Sequence, residues 1–532
     1  MRSILIVFGL ACSIAAQVTP VRISLAKSTS DSTLSFMVDS TSAAGLGSNS
    51  TLDIQAAGDS LIFFGTSGGL SVTPDLGITF RTYLAEEVDL PRGAITALNI
   101  LDSTIAVSGL IDTTIAGVGE LKGTGMSYST DMGDTWTHKE QPQDATTDNG
   151  YMTYSWGDSL ISQLAVTTDI SNITYDLAVS NGSIWLASWS SGLRRYDIPN
   201  GTWQTIPLPR DNDITLSCTD IPAGYELNSR DPANGGSHNH KAFSVIAYDS
   251  LLWVGTAAGI NKGIVDYTTG CVEWTHYNSR RDNISGNWVV ALHRQIYTGG
   301  ERIWASTVRA DTSSEVQGVS YTEDGGISWK TELIGQRANN ITSNDNEIYI
   351  STDTGLFKSL DSRNWARFNA AVDELTGEEV WAEEVHGSLY DSRDSTLWLA
   401  TPDGLAATSD LGVAWEVIRA FVSTRSAGEE RFYAYPNPFY LNRNNLRDGV
   451  GHVRFQYHII DAEQGLTAAV EIFDFAMNRV AKLTSRVHEL SGDFSQVWDG
   501  RNSAGHEVAN GVYYCNLKIG NSAYWTKVMV IK

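Results

Sequence analysis

One phrase returns along this chain of 532 residues. It reads TPDLGITF at 73–80, STDMGDTW at 129–136, TEDGGISW at 322–329 and TSDLGVAW at 408–415. SLDSRNW at 359–365 is a residue short and lacks the Gly. YDIPNGTW at 196–203 and DYTTGCVEW at 266–274 keep only a polar turn and the Trp. A second phrase precedes each copy: a polar turn, four or five apolar residues, then small residues, as in DSLLWVGTAAGI from Asp249. An apolar run of that length fits a strand buried on both faces. The aromatic ends stand at 80, 136, 203, 274, 329, 365 and 415. That spacing holds four short strands plus loops, so each repeat is one propeller blade. Seven copies of both phrases predict an all-β, seven-bladed β-propeller.

The order within the phrase has a physical reason. An Asp carboxylate accepts backbone N–H groups inside its own turn. A Gly two places on takes positive φ without steric cost. The Ser or Thr hydroxyl adds a local bond, and the Trp packs between blades. Asp75, Gly77, Phe80, Asp131, Gly133, Trp136, Asp324, Gly326, Trp329, Asp361, Trp365, Asp410, Gly412 and Trp415 are therefore read as structural rather than catalytic or metal-binding. The pattern S/T-x-D-x-G-x-S/T-W resembles the Asp-box, or BNR repeat, of sialidase-like propellers. Phe80 for Trp and Ala414 for the hydroxyl residue are departures. The resemblance covers residues 17–422 and implies a hairpin between the two outer strands of each blade. Trp185, Trp253, Trp304 and Trp398, inside the repeated strands, are expected in the core.

The N-terminus, MRSILIVFGLACSIAAQ, reads as a signal peptide over residues 1–16. Cys12 raises the alternative of a lipoprotein signal, but Gly9-Leu10-Ala11 lacks the Leu expected three places ahead of it. No later run reaches the roughly 18 apolar residues of a transmembrane helix. A formal net charge of −24 repels phosphate backbones and anionic lipid, which argues against a nucleic-acid partner. A secreted or outer-membrane-surface protein of a Gram-negative-type bacterium is expected, reached through the periplasm. Cys218 and Cys271 are either a disulfide or free thiols, and Cys515 is left over. VRISLAK at 21–27 alternates suitably for a strand added to the last blade, which would remove an open edge.

After residue 422 the beat stops. A polar linker fills 423–432, and short alternating strands over 433–532 predict a small β-sandwich. Its motifs are YPNPF, with Pro436, Asn437, Pro438 and Phe439, and a run carrying Trp498, Asp499, Gly500, Asn502, Gly505, Gly511, Val512 and Tyr513. KVMVIK closes the chain. Together these resemble the C-terminal sorting domains of type IX secretion cargo, whose Ig-like fold also occurs in flagellar hook-capping (FlgD-type) proteins. The resemblance implies the type IX secretion machinery as a partner. Asp499 and Asn502 do not have the spacing of an EF-hand, so turn chemistry is preferred to calcium.

No G-x-S-x-G, P-loop, H-E-x-x-H or C-x-x-C motif occurs, which favours binding over catalysis. No cofactor or metal is expected. The function expected is a non-catalytic binding or scaffold module for a glycan or protein ligand. The alternative is a sialidase-like or other glycoside hydrolase, although the early Arg-Ile-Pro motif is missing and no opposed carboxylate pair stands out. Candidate ligand residues are Trp189 with Arg194 and Arg195, and His238 with His240 on the long insertion 209–241. His-x-His on a strand would share a face and suit a metal, against solvated loop histidines. The acidic run DELTGEEVWAEE at 373–384 is read as a solvated loop and strand edge.

Overall fold

The computed structural model describes residues 42–532, apart from 116, 146, 148–149, 169, 310–315, 374–376 and 421–430. The signal peptide, the 21–27 strand and most of the linker therefore lie outside the described residues. No α-helix occurs among the described residues, only three short 3-10 turns. Among the described residues no helix is long and apolar enough to cross a membrane.

Seven antiparallel sheets form a ring, each built on four strands in chain order from the axis outward. Their innermost strands are Thr51–Ala57, Ala94–Leu101, Thr174–Ser180, Ala242–Tyr248, Trp288–Tyr297, Ala338–Asn344 and Gly387–Asp391. The repeated apolar run is the second strand of each blade, as in Leu251–Thr256 and Thr396–Thr401. Trp185, Trp253, Trp304 and Trp398 are buried there. The turns carrying the Asp phrase join the third and fourth strands, on what is called here the lower face. The turns between second and third strands, and the connections between blades, lie on the upper face.

The ring edge facing the axis raises a problem, because innermost strands have no further sheet neighbour to satisfy their backbone. Side chains answer it at all seven junctions. Asp53 accepts from Leu98 N, and Thr96 Oγ1 donates to Thr174 O. Asp176 accepts from Val245 N, Ser244 Oγ donates to Val289 O, and Ser306 Oγ to Ala338 O. Asn339 Nδ2 donates to Val385 O, and His386 Nδ1 to Thr51 O. Six of the seven innermost strands carry a register shift near their upper end, between Thr51/Asp53, Ile95/Ala97, Thr174/Asp176, Ala242/Ser244, Val289/Ala291 and Ala338/Asn340. Such bulges re-aim side chains, here toward the neighbouring blade.

Among the described residues the ring closes without a shared strand. The described N-terminal strand, Ser42–Ala44, pairs with Arg81–Tyr83 as a fifth, outermost strand of blade 1. Blade 7 is complete with four strands of its own between 387 and 418. Its junction with blade 1 is made by side chains and loops. Arg393 donates to Ala57 O, Gly58 O and Leu61 O, and Asn49 bonds Ala420 in both directions.

The insertion 209–241 builds a wall. Thr215–Leu216 pairs with the outer strand of blade 4, covering its edge. Glu226–Leu227 extends the hairpin Tyr151–Trp156 and Ser159–Leu164. A Cys218–Cys271 disulfide ties the insertion to blade 4, and Cys515 is free and buried. Trp156, Leu208, Leu216 and Tyr225 form a common core with Trp185 and Trp274.

The C-terminal region is a two-sheet β-sandwich whose first strand, Phe432–Tyr435, begins inside the expected linker. Three strands face a sheet built around Gly511–Ile519 and the final strand Ser522–Ile531, over a core of Phe439, Phe455, Tyr457 and Trp498. The run after Trp498 is turn chemistry. Asp499 accepts from Arg501 N, and Asn502 from Ala504 N and His506 N. Gly500 has φ 69°, and a Cβ there would lie 2.1 Å from Leu441. Gly505 is left-handed too, whereas Gly511 is near extended and leads into Val512, whose side chain is exposed. The Tyr513 hydroxyl donates to Ala509 O. The bonds before Pro436 and Pro438 are cis, and Asn437 between them bonds Lys527 O and Met529 N of the last strand.

Candidate functional site

The Asp turns come first, because they decide where function is not sought. In TEDGGISW, Asp324 Oδ1 accepts from Thr322 Oγ1 (2.8 Å) and Ser328 N (2.9 Å), and Oδ2 from Ser328 Oγ (2.5 Å). Those bonds, the Ser328 hydroxyl foremost, hold its carboxyl down at about 2. Asp75 and Asp131 make the same set. Asp410 keeps two of the three, since Ala414 has no hydroxyl. In the shortened copy Asn364 Nδ2 takes the hydroxyl's place on Asp361, at 2.7 Å. Each carboxylate is thus saturated by its own turn.

The aromatic and the Gly of each turn face the preceding blade. Trp136 packs on Tyr83, Trp329 on Trp253 and Tyr277, Trp365 on Trp304, and Trp415 on Phe368. Phe80 instead packs on Phe64 of its own blade, which carries the contact to Trp398 of blade 7. Gly326 has φ 100°, and a Cβ on it would stand 2.5 Å from the Tyr277 hydroxyl. A Cβ on Gly77 would stand 2.5 Å from Trp398. So Gly is required for close approach of the blades as well as for φ; the Gly133 and Gly412 turns are built alike.

The upper face has two distinct halves. Over blades 3 to 5 the channel mouth is aromatic. Trp189, in the turn before Gly192, packs on Phe243 (5.4 Å) and Trp288 (5.6 Å), with Tyr175 beyond at 6.0 Å from Phe243. Phe243 and Trp288 are buried, while Trp189 and Tyr175 keep part of their surface open. Lys241 Nζ lies 4.6 Å from the Trp189 ring centroid and 3.0 Å from His238 Nδ1. Burial lowers the affinity of Lys241 and His238 for protons.

The arginines expected beside Trp189 point elsewhere. Alternation along Gly192–Asp197 sends Arg194 and Arg195 to opposite faces of blade 3. Arg194 is buried against Asp144 at 2.9 Å and Pro142 O at 2.7 Å. Arg195 sits between Trp185 and Tyr267, bonded to Ser183 Oγ. It lines a separate polar pocket of about 450 Å³ on the lower face with Asn181, Asp197 and Asp249. The histidines do not share a face either. Residues 238–240 form a 3-10 turn, not a strand, so the side chains diverge. His240 is buried, within 3.0 Å of both Asn228 O and Leu208 O, and burial holds it down at about 4. No cluster of three or more metal-ligating side chains occurs among the described residues.

Along the channel wall Asp53 and Asp176 are the acidic side chains at the bulges. Both oxygens of each already accept a backbone N–H, from Ile54 and Leu98 and from Leu177 and Val245. Burial pushes Asp53 up to about 7. Asp176, partly open to the channel, is raised by the same cause and by the charge of Asp53.

Over blades 6, 7 and 1 the upper face is ionic and covered by the C-terminal sandwich. Asp403, in the turn before Gly404, meets Arg419 (2.8 Å) from its own blade and Arg454 (2.6 Å) from the sandwich. Glu378 contacts the same two guanidiniums at 3.1 and 3.2 Å. Burial alone would raise Asp403, but the two arginines outweigh it and hold the carboxyl below its usual range. The acidic run is therefore no solvated loop. Glu378 and Glu379 are docked against the tail, and Val380 and Ala382 are core. Nothing local in the sequence separates these carboxylates from the surface ones; the signal would have been Arg454, set between Val453 and Phe455.

No family model matches the chain, and no curated protein matches it in sequence. Solved structures similar to it have low identities. PorZ, a surface component of the type-IX secretion system of Porphyromonas gingivalis, is 15% identical over 91% of this chain and 75% of its own, with a TM-score of 0.34. An ancestral GH74 enzyme is 14% identical over 72% of this chain and 49% of its own, with a TM-score of 0.42. YCF48 from Cyanidioschyzon merolae is 12% identical over 69% and 97%, with a TM-score of 0.37. The fold assignment rests on the seven sheets themselves.

Proposed function

We propose that this chain is an exported, surface-held or secreted binding module, and that its ligand docks at the aromatic mouth over blades 3 to 5. The partly open Trp189, with the Lys241 ammonium against its ring, is the observation that carries this reading. Aromatic faces bind sugar rings and apolar side chains, and a nearby cation selects for an acidic group. The ligand class is accordingly an acidic glycan or an acidic segment of protein. Arg194 and Arg195 have no part in it, and His238 acts by positioning Lys241. Glycoside hydrolysis is the weaker reading, since the carboxylates on the channel wall are occupied by backbone N–H groups. A glycan array and peptide titrations with the full chain, comparing wild type and Trp189→Ala, test the site. Binding that survives Trp189→Ala, or turnover of any bound glycan, would overturn it.

The sandwich is proposed to be an Ig-like sorting domain read by type IX secretion machinery. The YPNPF and W-D-G motifs and the closing KVMVIK strand support this. Deleting residues 423–532 should trap the protein in the periplasm, and normal surface delivery without them would reject the role.

A further inference from the structure

The C-terminal sandwich is bound to the propeller as a ligand would be. Arg454 makes a two-pronged contact with Asp403, Nη2 to Oδ2 at 2.6 Å and Nε to Oδ1 at 3.3 Å. Its Nη1 reaches Glu378 at 3.2 Å and its Nη2 donates to Glu379 O at 3.0 Å. Ser495 Oγ, on the neighbouring strand of the sandwich, donates to Glu378. The Asp403 and Arg454 side chains are only 1% and 4% exposed. A second arginine, Arg447, lies 4.4 Å from the Trp381 ring centroid, bonds Glu379 Oε1 at 2.5 Å and donates to Val380 O at 2.7 Å. Backbone contacts continue the interface: Glu383 N donates to Leu446 O, and Asp448 N to Glu383. Tyr435 reaches Ser48, at the entrance to blade 1.

The propeller's half of this site is held by the propeller itself. Arg419 and Trp381 N fix Asp403, and Arg419 also fixes Glu378. Both carboxylates stand beside the Arg419 guanidinium, and the planar fork of Arg454 fits the carboxylate edge of Asp403 that faces the sandwich. Taking Arg454 away strips one of the two guanidiniums from the buried Asp403, and removing one partner of a buried ion pair is strongly unfavourable.

We propose that the upper face over blades 6, 7 and 1 is a preformed site for two guanidiniums, occupied by Arg454 and Arg447 of the chain's own C-terminal domain, and that this domain stays bound when the covalent link is cut. Severing the chain between 421 and 430 then yields a two-piece complex rather than a free propeller and a free tail.

The test uses the full-length protein with a specific protease site placed between 421 and 430, folded first and cut afterwards. Gel filtration with light scattering at micromolar concentration should return one species of full mass. Separation of the wild-type pieces would overturn the proposal. Arg454→Ala, checked by circular dichroism before cutting, should weaken the cut complex about a hundredfold. Arg447→Ala, on a loop and less buried, serves if Arg454→Ala fails to fold, and should weaken it about tenfold. Lys518→Ala, on the far sheet of the sandwich, should leave the affinity unaltered. Undiminished affinity in the arginine variants, or equal loss in Lys518→Ala, would overturn the assignment to this site.

Discussion

The two halves of the upper face solve opposite problems with similar residues. Over blades 3 to 5, Lys241 is a cation whose hydrogen bond goes to His238 and whose neighbour is a ring. Over blades 6, 7 and 1, Arg419 and Arg454 share two carboxylates. The first arrangement leaves binding capacity unused inside the molecule, and the second consumes it. Charged residues near an axis therefore do not by themselves mark a ligand site; what matters is whether their partners lie within the chain.

The largest expected effect breaks the filled half. Asp403→Asn removes the more buried of the two carboxylates that Arg419 and Arg454 share and should cost about 3–5 kcal/mol in denaturant unfolding. A loss below about 1 kcal/mol would mean that water reaches the dock. Next comes the channel wall common to both halves. Asp53 has a folded-state pKa raised to about 7, so its fold favours the protonated form. That contribution is complete below pH 4 and is lost as pH rises through 7, amounting to a few kcal/mol. His240, held down at about 4, works in the other direction between pH 4 and 6.5. Between pH 6.5 and 8.5 His240 no longer opposes the loss and Asp176, raised to about 8, titrates alongside Asp53, so wild type should lose melting temperature there and Asp53→Asn should lose less. Gly326→Ala joins an unfavourable φ to a clash with Tyr277 and should cost about 1–3 kcal/mol by thermal unfolding. The smallest stability change sharpens the open half. Lys241→Met removes a buried ammonium and should shift stability by less than about 1 kcal/mol, in the stabilising direction, while weakening an acidic ligand. A destabilisation comparable to Asp403→Asn would make Lys241 a structural charge and erase the contrast.

Legibility in the sequence followed the range of the interactions. The Asp turns were readable because every partner of Asp324 lies within four residues, and seven strands were countable because each blade repeats the same local problem. The sandwich was readable from its turns for the same reason. The dock was not: Asp403 and Arg454 meet across a domain boundary, and in sequence they look like surface charge. His240 read as a loop histidine because the atoms that bury it, Leu208 O and Asn228 O, belong to distant parts of a folded insertion. The pairing of Trp189 with Arg194 and Arg195 failed on strand alternation, which separates neighbours that adjacency in sequence places together. Trp288 and Phe243, its real companions, come from other blades.

The seam between blades 7 and 1 has a mechanical meaning. Among the described residues no shared strand crosses it, and within the propeller it is held by Arg393, His386, Asn49 and packed rings. The C-terminal sandwich straddles that seam, gripping Asp403 on one side and Ser48 on the other. A pull on the C-terminus loads both banks of the joint together, as a buckle does, and the ring stays shut for as long as the buckle holds.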